Sequence, residues 1–454
     1  MSTEKLKINI NLIHKKLTQY LKIKLKIYRS KKFSPDYDSP IYYSSFYNNI
    51  GLLSIKKYLG IKTQLLTNFF YFIKDFFYIL KYANIKTFTK CKKITASKVI
   101  LTWGGSSNFK DNGSFDDNYL NINSNKDKNI FWVILFNGEN FPKKIGKNLL
   151  LIHVNRVRNY NFLILIKVIL SKLRFAFKDF QYFLFSISCH NFLSEKIYSI
   201  LSNKITTKIK SFLVVYEAQP FQNRLIQYFK MKRINTIGYI HFPPLALPLH
   251  LIKKKYSPDK IILNGEDQKK CFLKLGWNKR EILVLPSTRF LKKNVNFSNK
   301  LFLPISIKSP NNILKNLDIL ATKHNFDLKS LTIQNHPHAI NSKIHIKLIS
   351  NIERLKNNYK KLKILKQNNN NLSVFVGTSG AIIEALERGN NVIQVTEETK
   401  LDLYSNYLWP SLKIKKISDN IYSYQLLKKQ NLIKLGTQPK NLNIYFNSNK
   451  YIKS

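Results

Sequence analysis

The chain has 454 residues and carries 76 Lys+Arg against 25 Asp+Glu, a formal net charge of +51. At roughly 100–200 residues per domain, that length predicts two or three domains. A composition that is 44% hydrophobic and 13% aromatic excludes a disordered basic tail. Three widely spaced cysteines, Cys91, Cys189 and Cys271, make neither a disulfide framework nor a zinc cluster and fit a reducing cytoplasm.

The charge has two readings. Lys, Asn, Ile, Phe and Tyr crowd the sequence while Arg, Ala and Gly are sparse, the pattern that AT-rich codons produce. Glu is also encoded by AT-rich codons and nevertheless stays rare, which favours an anionic partner: a membrane surface, nucleic acid or a phosphate-bearing substrate. Lysines spread along the whole chain, without a helix-turn-helix or RNP-like signal, argue against nucleic acid.

The first 95 residues carry no interpretable motif and form an extra N-terminal segment. Met1 to Arg29 interleaves Lys with Ile and Leu and lacks the apolar stretch of a secretory signal. The Asp36-Tyr37-Asp38 loop offers the carboxylates of a metal-nucleotide site, but no apolar strand precedes it, so no metal is expected there. Leu65–Ala83 and Tyr160–Ile187 are apolar but interrupted by charge, and neither reads as a membrane span. In the second, Lys167, Lys172, Arg174 and Lys178 fall between Leu/Ile/Phe blocks. That pattern fits a basic amphipathic helix lying on anionic lipid, or a buried helix with one solvated face.

From residue 96, short apolar runs alternate with helical patterns, the signature of βαβ units. Val99–Trp103 ends at Gly104-Gly105-Ser106-Ser107, and Ile130–Phe136 at Asn137-Gly138-Glu139. Phe212–Tyr216 ends at Glu217, and Thr236–Ile240 at His241-Phe242-Pro243-Pro244. Lys260–Leu263 runs into Asn264-Gly265-Glu266 and a helix over Asp267–Leu275 stopped by Gly276; Glu281–Leu285 closes the series. After a Lys/Asn-rich joint at 292–300 a second series begins. It takes Leu301–Ile307 as strand, Asn311–His324 as helix, and Leu331–Gln334 as strand leading into His336-Pro337-His338. Leu372–Val376 then meets Gly377-Thr378-Ser379-Gly380, the helix Ala381–Arg388 ends at Gly389, and Asn391–Val395 is the next strand. The tracts Asn108–Lys128 and Gln367–Asn371 read as loops or insertions.

The predicted fold is α/β: two Rossmann-like domains facing a cleft, with the extra N-terminal segment. The expected divisions are 1–95, an acceptor domain over 96–295 and a donor domain over 296–454. Because ligands sit beyond the carboxyl ends of parallel strands, polar residues just after apolar runs are the site candidates. In Val374–Gly389, Gly377 and Gly380 let backbone N–H groups approach a ligand, Thr378 and Ser379 offer hydroxyls, and the helix dipole adds positive potential. That is a phosphate site; the structural alternative is Ser379 or Thr378 as an N-cap with Glu384 as an early-helix acid. No Gly-Lys-Ser/Thr follows, so this is no Walker loop. The pairing of His336 with His338, with His345 beyond, lacks a third nearby ligand, so no metal is expected there either.

The combination Gly377-Thr-Ser-Gly-Ala-Ile-Ile-Glu-Ala-Leu-Glu-Arg-Gly389 followed by Val392-Ile-Gln-Val395 resembles the donor-binding segment of two-domain, GT-B-type glycosyltransferases. The likeness is closest to bacterial surface-carbohydrate biosynthesis proteins. In those relatives a His-Pro pair after an earlier strand helps to hold nucleotide phosphates, which implies that role for His336; Gln334 stands where many relatives carry Lys. Tyr216-Glu217-Ala218-Gln219-Pro220, Gly238-Tyr239-Ile240-His241, Asn264-Gly265 and Pro286-Ser287-Thr288-Arg289 resemble further motifs of that group, and the likeness covers about residues 96–400. It implies a metal-independent transfer of sugar from a nucleotide-sugar donor to a glycan or lipid-linked acceptor at the inner face of a bacterial membrane. The nucleotide sugar is then a substrate, and no cofactor is implied.

Sugar transfer needs a base for the acceptor hydroxyl and a positive environment for the departing phosphate. Glu217 and His241 are the catalytic candidates; His336, Gly377, Thr378, Ser379, Gly380 and Glu384 are the donor-binding ones. Gly104, Gly105, Ser106 and Arg289 are candidate substrate contacts. Each has a plainer alternative: Glu217 an ion pair with Arg224, His241 a hydrogen-bonded turn, Arg289 a solvated cation, and the glycines a tight turn. The rival functions are a nucleotide-sugar epimerase of the same fold, a basic nucleic-acid-binding protein, and a non-catalytic scaffold that the Gln334 departure keeps open.

Overall fold

The computed structural model describes residues 10–30, 85–153, 162–177, 189–204, 206, 208–244, 246–292, 295–307, 309–359, 371–397 and 402–446, with a few positions in 73–80 and 183–187. The Asp36-x-Asp38 loop and most of Leu65–Ala83 lie outside these residues.

Helix α1 (Ile10–Ser30) precedes the first sheet and buries Ile13 and Leu17. The sheet itself begins with β1 (Lys86–Thr89) and β2 (Lys98–Gly104). A two-stranded hairpin, β3 (Asp116–Asp117) and β4 (Ile122–Asn123), leads to β5 (Ile130–Phe136) and β6 (Leu149–His153). After helices α2 (Leu163–Ala176) and α3 (Cys189–Ser202) come β7 (Ser211–Val215), α4 (Pro220–Met231), β8 (Asn235–Tyr239) and β9 (Lys260–Leu263). Helix α5 (Glu266–Lys274) and β10 (Ile282–Val284) complete the sheet.

The eight strands lie in the order β1-β6-β5-β2-β7-β8-β9-β10, parallel except for β1, which runs antiparallel along the edge of β6. β2 and β5 are near-continuous apolar runs because both faces of a parallel sheet are covered. Their alternation divides the core: Val99, Leu101 and Val133 join one cluster, while Ile100, Trp132 and Ile134 join the other. Helices α3, α4 and α5 cover the first face. The hairpin residues Phe115, Leu120 and Ile122, together with Leu442, Tyr445 and Phe446 from the far end of the chain, cover the second.

The second sheet starts at β11 (Lys300–Phe302), shorter than the sequence predicts because Pro304 cannot donate to a ladder. Helix α6 (Pro310–Lys323), β12 (Thr332–Gln334) and helix α7 (Lys343–Asn358) follow. Then come β13 (Leu372–Val376), the seven-residue helix α8 (Ala381–Glu387) and β14 (Asn391–Val395). An antiparallel pair, β15 (Leu412–Ser418) and β16 (Ile421–Leu426), finishes the order β12-β11-β13-β14-β16-β15. Glycines end two helices as predicted, Gly276 after α5 and Gly389 after α8, both at φ +90°.

The chain then crosses back. Lys434 N donates to the Asn264 carbonyl, the Lys434 carbonyl accepts from Ser287 N, and Leu291 bridges Gly436. The last described helix, α9 (Asn443–Phe446), lies on the first sheet, so residues expected to close the second domain help to build the first. Buried Glu387 of α8 fastens this return by accepting from the N–H groups of Gln430, Leu432 and Ile433.

Candidate active site

Each sheet has a switch point, where successive connections depart in opposite directions. In the first sheet it lies between β2, which leads on to β5 and β6, and β7, which leads on to β8, β9 and β10. In the second it lies between β11, which leads to β12, and β13, which leads to β14. Ligands of open α/β sheets bind outside the carboxyl ends at such points. Glu217 stands two residues past the end of β7, and Gly377–Gly380 follows β13 directly.

The Glu217 turn is built by its own neighbours. Gln222 Oε1 accepts from the backbone N–H groups of Glu217 and Gln219, at 2.9 and 3.2 Å, while Gln222 Nε2 donates to the Val215 carbonyl. Pro220 opens α4 at a position whose N–H would lack an intrahelical partner. Between them Ala218 is fully buried at φ +55°, a left-handed conformation that costs an alanine about 1 kcal/mol or more. The turn aims the carboxylate: Glu217 Oε2 accepts from Gln219 Nε2 at 2.6 Å, and Oε1 lies 3.7 Å from His241 Nε2.

Burial raises the Glu217 pKa, opposed by the Gln219 hydrogen bond and by Arg289. His241 is pushed well below an ordinary histidine, first by burial and then by Arg289, so its ring is neutral at pH 7. Its Nδ1 is buried and has no hydrogen-bond partner among the described residues. Arg224, the ion partner weighed for Glu217, lies over the Tyr198 ring instead.

Tyr119 completes the group, and sequence reasoning missed it. Its ring meets His241 edge-on at 4.4 Å, and the Arg289 guanidinium stands 5.9 Å from the same ring. Burial and Glu217 push its hydroxyl up to about 12. The tract read as a polar insertion is in fact a folded hairpin held from below by Asp117. That carboxylate accepts from the Thr102 hydroxyl of β2 and from the N–H groups of Tyr119 and Leu120, and burial raises its pKa to about 6. From above, Thr288 Oγ1 donates to the Tyr119 carbonyl, and Asn121 Nδ2 donates to the Thr288 carbonyl. The available signal was Phe115, Leu120 and Ile122, apolar residues set among Asn and Asp.

Thus Glu217, His241 and Arg289, which follow three different strands, lie close enough to act on one another electrostatically. Gly104, Gly105 and Ser106 share that sheet edge but are occupied structurally. A Cβ at Gly104 would stand 2.5 Å from the Phe115 ring, Gly105 N donates to Asn108 Oδ1, and Ser106 Oγ donates to the Asn140 carbonyl.

On the other side, Gly377 takes φ +66° beside Pro304, the residue that ends β11. Its carbonyl accepts from Gln394 Nε2 at 2.7 Å. Thr378 Oγ1 donates to the Asp402 carbonyl, and Ser379 Oγ accepts from Ala381 N, the cap-like bond weighed for it. Glu384 pairs with Arg388 at 2.8 Å, and Arg388 also donates to the Leu291 carbonyl of the interdomain joint. His336 follows β12, on the far side of β11 from the Gly377 loop, with its N–H on Asn335 Oδ1. His345 bonds Ser342 Oγ and the Pro304 carbonyl, a structural placement. Among the described residues no three His, Cys, Asp or Glu side chains group closely enough to hold a metal ion.

The two edges meet. A Cβ added at Gly380 would stand 3.3 Å from the Pro243 carbonyl oxygen and 3.4 Å from its Cδ, and Pro243 is two residues past His241. Close by in the chain, Trp409 Nε1 donates to the Ala246 carbonyl at 3.2 Å.

No family model matches the chain, and no curated protein matches it. Among solved structures it is similar to the UDP-GlcNAc 2-epimerase from Neisseria meningitidis bound to UDP-GlcNAc, at 10% identity and a TM-score of 0.36, over 79% of this chain and 100% of that one. A likeness so distant bears on neither substrate nor reaction. The fold follows from strand order. The chain is two α/β domains, each with a mainly parallel, Rossmann-like sheet.

Proposed function

We propose that this protein is a glycosyltransferase that moves a sugar from a nucleotide-sugar donor to a glycan or lipid-linked acceptor. The observation that carries the reading is the meeting of the two switch points: Gly380 of the second domain packs against Pro243, two residues from buried His241 and its half-buried neighbour Glu217. Donor phosphates lie along the Gly377–Gly380 backbone, with Ser379, whose accepting hydroxyl still has a hydrogen to donate, and His336 beside them. The acceptor hydroxyl gives its proton to the Glu217 carboxylate as its oxygen bonds the anomeric carbon. The bond from that carbon to the phosphate oxygen breaks, and the nucleotide leaves with the electron pair. A raised pKa makes ionised Glu217 a stronger base than an exposed glutamate. Neutral His241 and the Arg289 charge orient it.

A nucleotide-sugar epimerase is the second reading. The observation favouring it is the nearness of Tyr119 to Glu217, two groups with raised pKa values that suit proton exchange at a sugar carbon. Incubation with a panel of nucleotide sugars separates the two. Nucleotide release that requires an added acceptor supports transfer, and donor isomerisation without acceptor supports the epimerase. If no nucleoside mono- or diphosphate raises the melting temperature, both readings fall, since a ligand at 100 times its Kd adds about 2.7 kcal/mol.

A further inference from the structure

Helix α2 stands on the first domain with one face seated and the other exposed. The seated face places Leu165 and Val168 against Ile79, Leu80, Ile187 and Cys189, and Lys172 pairs with Glu195 of α3 at 2.5 Å. At about 3.6 residues per turn, Leu163, Ile166, Leu170, Leu173 and Phe177 fall in a single stripe on the opposite side. All are exposed, Leu163 at 63%, Leu170 at 62% and Phe177 at 88%. Lys167 and Arg174, also exposed, border that stripe along one edge. A water-facing helix normally reverses this arrangement, with its polar residues outward.

We infer that this face of α2 docks the protein on an anionic lipid bilayer, the apolar stripe entering the acyl boundary and Lys167 and Arg174 meeting the headgroups. The chemistry fits a helix that lies in the interface plane: apolar on the buried side, cationic at its margin. Charge selects lipid over a second copy of the chain. Self-pairing of the stripe brings Lys167 and Arg174 toward their own duplicates, and α2 contains no acid to separate them. Between residues 150 and 200 there are seven Lys or Arg against two acids, Asp179 and Glu195, and Glu195 is already engaged by Lys172. No described helix is long and apolar enough to cross a membrane, so the mode is docking, not spanning.

Vesicle flotation of the full chain tests this without any nucleotide, so its failure leaves the cleft reading untouched. The wild type should float with phosphatidylglycerol/phosphatidylcholine vesicles at about 0.1 M salt, where exposed charges still act over about 10 Å, and not with phosphatidylcholine alone. Leu163→Ser/Leu170→Ser/Phe177→Ser and Lys167→Gln/Arg174→Gln should each weaken binding about tenfold or more. These side chains are exposed, so an unchanged circular dichroism spectrum is expected for both variants. A Leu170→Trp reporter should shift its emission to the blue when anionic vesicles are added. Docking by this face is overturned if the wild type ignores anionic vesicles, or if the triple Ser variant floats as well as the wild type. It is also overturned if the wild type forms a lipid-free dimer that the triple variant disperses.

Discussion

The two edges that meet at Gly380 and Pro243 are made of the same parts but arrange their polar groups differently. Each is a buried parallel strand, a short turn and the start of a helix, placed at the switch point of its sheet. On the first-domain edge the turn holds a half-buried carboxylate and the next strand end a buried imidazole, and burial moves both pKa values. On the second-domain edge the loop's polar groups hold the loop itself: Thr378 bonds the Asp402 carbonyl, Ser379 caps Ala381, and Gln394 secures Gly377. What that loop presents to a ligand is mainly shape and backbone. Under the proposed function, proton chemistry therefore falls to one side of the cleft and positioning to the other.

Glu217→Gln is the strongest test of that division. If the first edge carries the base, turnover should fall about 10²–10⁴-fold while nucleotide-induced stabilisation persists. The wild-type kcat/KM should lose its acid limb above the ordinary glutamate range of about 4.3, because the native pKa is raised. The same shift fixes the stability sign. A carboxyl whose pKa is higher in the native state contributes stability below its unfolded pKa and loses it as pH rises through the native one. The amide should therefore melt no lower than the wild type at pH 7. Equal loss of nucleotide binding and turnover would erase the division.

Asp267→Ala should act next most strongly, and on stability. Asp267 is fully buried at the start of α5 and accepts from Ser411 N at 2.6 Å and from the Ser411 hydroxyl at 3.0 Å. It ties the first domain to the turn before β15. Its removal strands those donors at a cost of about 2–3 kcal/mol, readable in urea unfolding. Donor KM should rise more than kcat falls, since the edges separate while Glu217 keeps its own hydrogen bonds.

Much of this arrangement was legible in the sequence because parallel strands announce themselves as apolar runs and their ends as the next polar residue. Glu217, His241 and the Gly377 loop were singled out as candidates that way, and Arg289 through its motif likeness. Tyr119 was not, because its hairpin is ordered by distant contacts: Thr102 to Asp117 below and Asn121 to Thr288 above. Local composition there is mostly Asn and Asp, and the three apolar residues Phe115, Leu120 and Ile122 are the one local sign that separates this clamped hairpin from a solvated loop. The return of residues 431–446 to the first sheet was hidden for the same reason. Glu387 holds its start from 43–46 residues away in sequence. The site's chemistry is local, and its closure depends on long-range contacts.

Gly377→Ala carries the comparison to the positioning edge. At φ +66° an alanine costs about 1–2 kcal/mol, whereas its Cβ would sit 3.7 Å from Pro304, an ordinary contact. The penalty is therefore backbone strain, and nucleotide affinity should weaken by about tenfold or less while the pH profile stays where Glu217 sets it.

Tyr119→Phe should have the smallest effect, and it asks whether the hairpin belongs to the chemical edge or only covers it. The ring contact with His241 survives in phenylalanine, and the backbone bonds to Asp117 and Thr288 do not involve the hydroxyl. Stability should change by less than about 1 kcal/mol. With its pKa at about 12 the hydroxyl is a donor and not a base at neutral pH. Its loss should therefore raise the acceptor KM a few-fold and leave kcat nearly unchanged. A collapse of kcat comparable to that of Glu217→Gln would instead make Tyr119 a proton carrier, which is the outcome an epimerase predicts.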